Sequence, residues 1–151
     1  MSATSIFLHS TGTTPAMWAN VPEAVFAGTS KLTPLHIGYS SKAPLARGTT
    51  VSGADEAAKI MTGLPAEGDV HLYGHSYGGV VALHLFAALG ARVKSLFLYE
   101  PVMFGALMND GADLPEEAHA EMHRLREGAP WFLDDAERGG GDAWMEVFID
   151  Y

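Results

Sequence analysis

The segment DVHLYGHSYGGVVALHLFAAL, residues 69–89, constrains this chain more than any other. Asp69–Tyr73 is a short apolar run with strand character, and Val80–Leu89 is an almost wholly apolar helical run stopped by Gly90. Gly74-x-Ser76-x-Gly78 lies between them. A strand that turns into a helix over so few residues needs a bend that drives its apex into positive φ. The positions two residues to either side must be small to avoid collision. Ser76 occupies the apex, so its hydroxyl is expected to stand clear of the sheet. Tyr77 opens the helix; its N–H has no intrahelical partner and sits at the positive end of the helix dipole, where it can donate to an oxyanion. In a chain with 17 glycines the spacing alone is weak. The strand–turn–helix setting is what makes it informative. On spacing alone, a plain tight turn between strand and helix stays open as the alternative.

The flanking sequence repeats the alternation. Ser5–His9 reads as a buried strand, followed by a loop to Pro15. A helix opens there with Thr14 as N-cap, carrying Met17, Trp18, Val21, Val25 and Phe26 inward and kinked or broken at Pro22. Lys31–Tyr39 reads as a second strand, placed at an edge or starting late because of Pro34. Ser52 or Gly53 starts a helix through Met61, stopped by Gly63 and Pro65. Val93–Tyr99 is a fourth strand. Strands alternating with helices predict an α/β fold: a parallel sheet with helices on both faces.

Charge divides the chain differently. Residues 1–104 hold six acids and six bases, whereas residues 105–151 hold twelve acids against Arg124, Arg126 and Arg138. The shift predicts a change of structural role near residue 105. Pro115–Glu127 reads as an acidic amphipathic helix, Arg138–Asp142 as a glycine-rich break, and Ala143–Tyr151 as a further helical piece. The net charge of −9 argues against nucleic acid as a partner. No apolar run approaches the ~18 residues of a membrane span. Met1–Ser5 has no signal-peptide character, and with no cysteine in the chain a cytoplasmic location is the expectation.

Two segments, FLHSTGTTPAMW at Phe7–Trp18 and LYGHSYGGVVAL at Leu72–Leu83, resemble the α/β-hydrolase superfamily of the serine type. The likeness runs from about Ser5 to Phe104. It implies an incomplete α/β-hydrolase fold over residues 1–104, with sheet order second–first–third–fourth strand, and a helical cap over residues 105–151. Ser76 would be the nucleophile. The backbone amides of Thr11 and Tyr77 would form the oxyanion hole, and His9 would brace the loop as a structural residue. The family usually has Gly where this chain has Ser10, a side chain that would narrow the hole or add a hydroxyl donor.

The resemblance also implies a nucleophile–acid–histidine order along the chain. The histidine, and the usual acid, are expected beyond residue 151. Some members, certain haloalkane dehalogenases among them, place the acid at the end of the fourth strand here, which makes Glu100 a candidate. Its other reading is a hydrogen-bonding carboxylate beneath the site. His36, His71 and His84 read as core or surface residues and His75 as packing. His119 and His123 share a helix face without a third metal ligand, so no metal is expected. No cofactor is implied.

The function expected is hydrolysis of a small, mostly apolar ester or related acyl substrate. Met103, Phe104, Leu107, Met108, Trp131 and Phe132 are candidate pocket residues. The alternative is a truncated or degenerate, non-catalytic module that binds or self-associates through an exposed sheet edge.

Overall fold

The computed structural model describes residues 3–46, 48–103 and 115–128. The chain divides into two compact units, Met1–Pro44 with Val51–Val102 and Leu45–Thr50 with Met103–Tyr151. In the first unit lie strands β1 (Ala3–Leu8), β2 (Thr29–Leu32), β3 (Val70–His75) and β4 (Val93–Tyr99) and helices α1 (Gly53–Met61) and α2 (Tyr77–Leu89). All strand pairs are parallel, in the order β2-β1-β3-β4. This is the parallel sheet and strand order that the resemblance implies.

Strand alternation assigns the faces. Ile6, Leu8, Val70 and Leu72 point to the side on which α1 contributes Ala57 and Ile60 and α2 contributes Val81, Ala82 and Leu85; together they form the buried core. The opposite side carries Phe7, which stacks on Tyr73 at 4.4 Å between centroids and meets Trp18 and Phe26 from the connection that follows β1.

That connection departs from the expected helix. It forms two short 3₁₀ turns, Pro15–Trp18 and Glu23–Val25, parted at Pro22. Thr14 caps the first, as its position predicts, by accepting the Ala16 N–H. With only single turns available, no continuous apolar stripe forms, and Met17 and Val25 are exposed rather than inward. The second strand also differs. It covers Thr29–Leu32 and stops before Pro34, whose missing N–H cannot continue a ladder, so residues 33–39 form a loop.

Helix α1 begins where Ser52 predicts. Ser52 Oγ accepts the Asp55 N–H and Asp55 Oδ2 accepts the Ser52 N–H, a reciprocal capping box. The Ser52 hydroxyl hydrogen bond holds the Asp55 carboxyl below its ordinary pKa. The second unit contains α3 (Glu116–Gly128), matching the acidic helix expected there. Arg138–Asp142, Ala143–Tyr151, Phe104, Leu107, Met108, Trp131 and Phe132 lie outside the described residues. Among the described residues, no helix is long and apolar enough to cross a membrane.

Candidate active site

Strand β3 delivers Gly74 opposite Leu8 of β1 and His75 opposite Tyr99 of β4. The chain then reverses into α2 through Ser76, at φ 54° and ψ −120°. Only Ser76 and Glu100 among the described non-glycine residues have positive φ. The bend is held by its own backbone. Ser76 N–H donates to the Tyr99 carbonyl (3.0 Å), and the Ser76 carbonyl accepts from Gly79 N–H (2.9 Å) and Val102 N–H (3.3 Å). The half-buried Ser76 side chain does not cap α2. A hydroxyl that neither caps its helix nor sits fully buried is available to a ligand.

The strain at Ser76 has a measurable consequence. Glycine relieves positive φ while alanine does not. Ser76→Gly is therefore expected to stabilise the domain by about 1 kcal/mol and Ser76→Ala to give no gain. Urea unfolding of the three proteins checks this; equal midpoints for Gly and Ala would show that the bend is relaxed.

The two glycines have steric roles. A Cβ on Gly74 would lie 2.5 Å from the Gly78 carbonyl oxygen and 2.7 Å from Gly79 Cα. A Cβ on Gly78 would collide with the carbonyl oxygens of Leu8 and His9. The start of α2 therefore packs directly on the backbone that leaves β1, which places the Ser10–Thr13 loop beside the Ser76 bend. Tyr77 is the first residue of α2. Among the described residues, the amide hydrogens of Thr11 and Tyr77 have no acceptor.

Ser10, standing where glycine was expected, is buried. Its hydroxyl donates to the Thr11 carbonyl at 3.2 Å and lies 3.3 Å from Thr13 Oγ1, which itself donates to the Ser10 carbonyl. The hydroxyl is engaged inside its own loop. Glu100 follows β4 directly, next to the Tyr99 carbonyl that holds Ser76, and is exposed. His75 packs on Tyr99, with ring centroids 5.0 Å apart. His123, in the second unit, pairs with Glu127 along α3 at 3.2 Å.

Beneath the loop lies a group that residue spacing did not single out. His9, His36 and Glu56 are buried to 0, 1 and 1% exposure. The His9 and His36 rings are 4.0 Å apart, and Tyr77 packs on His36 at 5.1 Å. Burial pushes the His9 pKa down. Burial, followed by the nearby Glu56 charge, pushes the Tyr77 hydroxyl up to about 12. Two signals were available: the bracing role that the resemblance gives His9, and Glu56, a charged residue on the Gly53–Ala57–Ile60 face that α1 buries.

The parallel sheet in the order β2-β1-β3-β4, with helices packed on it, agrees with a family model. The model described as "Alpha/beta hydrolase family" matches residues 6–150. The chain belongs to the α/β-hydrolase family.

Individual proteins are similar to it. It is 31% identical over 109 residues to the lipase LipV of Mycobacterium tuberculosis, covering 70% of this chain and 38% of that protein. Over 77 residues it is 39% identical to the dihydrolipoyllysine-residue acetyltransferase component of the acetoin cleaving system of Cupriavidus necator, covering 49% of this chain and 20% of that one. The solved structure of the epoxide hydrolase CorEH without ligand superposes with a TM-score of 0.62 at 18% identity, over 99% of this chain and 48% of its own. This α/β-hydrolase chain thus spans between 20% and 48% of the length of these proteins.

Proposed function

We propose that the chain carries the nucleophile half of a serine hydrolase acting on a small, mostly apolar ester or related acyl substrate. The observation that carries this reading is Ser76 at φ 54° between β3 and α2, its backbone tied at both ends and its hydroxyl not capping the helix. Ser76 Oγ attacks the acyl carbonyl, and its proton passes to a histidine base. The carbonyl oxygen becomes an oxyanion received by the Tyr77 and Thr11 amides. Collapse of the tetrahedral intermediate expels the alcohol, and water then releases the acid and restores Ser76. Glu100, exposed at the end of β4, is the candidate acid on this chain. The base belongs to the part of the family fold that the chain does not span. Serine in this position favours acyl transfer over dehalogenase or epoxide-hydrolase chemistry, which in the resembling families uses aspartate.

A fluorophosphonate probe followed by intact mass tests the proposal, with free imidazole added as a diffusible base. One adduct at Ser76, faster with imidazole and absent in Ser76→Ala, is the expected result. Folded protein that takes no adduct under either condition removes the hydrolase reading.

A second reading, a non-catalytic assembly module, is favoured by the outer strand of the sheet. Phe97 and Tyr99 of β4 are 55% and 53% exposed, and β4 pairs on one side only among the described residues. Unlabelled protein that sediments as a dimer would select this reading.

A further inference from the structure

The atoms around the buried His9–His36–Glu56 group assign its hydrogens. His36 N–H donates to His9 Nε2 at 3.3 Å, so that nitrogen carries no hydrogen. His9 Nδ1 lies 2.9 Å from the Ser10 carbonyl and must donate to it. His9 is therefore the neutral Nδ1–H tautomer, in keeping with the effect of its burial. His36 Nε2 lies 2.8 Å from the His9 carbonyl oxygen and donates there. His36 Nδ1 then faces Glu56 Oε2 at 3.5 Å, and neither atom has a hydrogen-bond partner among the described residues. Glu56 Oε1 accepts the Ile37 N–H at 2.8 Å, tying the same stretch of chain to α1.

The stretch His36–Tyr39 grips the loop after β1 at two points. His36 holds His9 by ring and carbonyl, and the Tyr39 hydroxyl accepts the Gly12 N–H at 3.2 Å. Thr11 lies between these pins. The His9 carbonyl is also one of the oxygens that the absent Cβ of Gly78 lets approach α2.

A charged residue in a core usually costs more than its partner returns, and apolar replacements are often neutral. Something other than packing is then needed to account for Glu56. We infer that Glu56 and His36 are positioning residues: through the His9 carbonyl, with Tyr39 as the second pin, they hold the Ser10–Thr13 loop so that the Thr11 N–H stays aimed at the space beside Ser76. This rests on the proposed hydrolase reading.

Two substitutions separate positioning from filling. Glu56→Leu keeps the volume and removes the Ile37 hydrogen bond and the carboxylate facing His36. Glu56→Gln keeps an oxygen for Ile37 N–H and offers an N–H to His36 Nδ1. In Glu56→Leu, amide exchange at Gly12 and Thr13 should quicken about tenfold, and fluorophosphonate capture by Ser76 should slow by about tenfold. In Glu56→Gln both should return to within about threefold of the parent. Nitrogen NMR should show His9 as a single Nδ1–H tautomer in the parent and Gln proteins, and mixed tautomers in the Leu protein.

Glu56→Leu that exchanges and labels like the parent overturns the inference, as does Glu56→Gln that behaves like Glu56→Leu. Should Glu56→Leu not fold, Tyr39→Phe, which removes only the acceptor for Gly12 N–H, must quicken Gly12 exchange and slow capture; unchanged rates overturn it equally. If the parent chain takes no label at all, the hydrolase reading fails by itself. Exchange and tautomer then still decide whether the pair holds the loop.

Discussion

Gly78→Ala is expected to cost at least about 3 kcal/mol and to abolish probe capture at Ser76, although it adds a single methyl group. The methyl would meet the carbonyl oxygens of Leu8 and His9, which are backbone atoms with no rotamer to change. Relief requires α2 to back away from β1. That movement would break the Gly79 N–H to Ser76 carbonyl bond and carry the Tyr77 amide away from the Thr11 loop. Gly63→Ala is the matched control. A Cβ there would meet only the Ile60 carbonyl at 3.7 Å, and Gly63 terminates no strand or bend at the site. Urea unfolding and intact mass after probe treatment measure both effects. A Gly78→Ala protein within about 1 kcal/mol of the parent would mean that strand and helix are not in contact at this point.

Leu72→Ala is expected to destabilise the first unit by about 3 kcal/mol, within the 2–5 kcal/mol typical of a buried leucine lost to a cavity. Leu72 is fully buried in the middle of β3, opposite Ile6 on one side and Leu96 on the other. It belongs to the cluster that α1 and α2 cover. Two strands and two helices lose contacts together, so little relaxation is open to the site. For a unit near 100 residues this corresponds to a fall in Tm of roughly 12–24 °C. Phe86→Ala, at an exposed position on α2, should move Tm by less than about 2 °C. Equal shifts for the two variants would contradict the assignment of the buried face.

Features held by neighbours in sequence were legible before any coordinates. The bend at Ser76 was expected because a strand that becomes a helix within a few residues leaves few conformations, and the structure has it at φ 54°. Ser52 announced the start of α1 and Gly90 the end of α2. Strand β4 occupies the range read from its residues, Val93–Tyr99. The same local logic failed where two signals competed. Apolar residues at Met17 and Val25 suggested an inward helix, but Pro22 allowed only separate turns. The apolar run after Lys31 suggested a longer strand, but Pro34 ended it.

Sequence by itself determined the alternating α/β order, the strained serine and the family, because each follows from local sterics or from a pattern confined to a dozen residues. Only the tertiary structure decided that His9, His36 and Glu56 share one buried site. Their positions are separated by two loops, and a carboxylate on α1 meets an imidazole beside β1 only once both are packed on the same sheet. Burial and partnership of polar groups are properties of assembled surfaces, so no periodicity within one element encodes them.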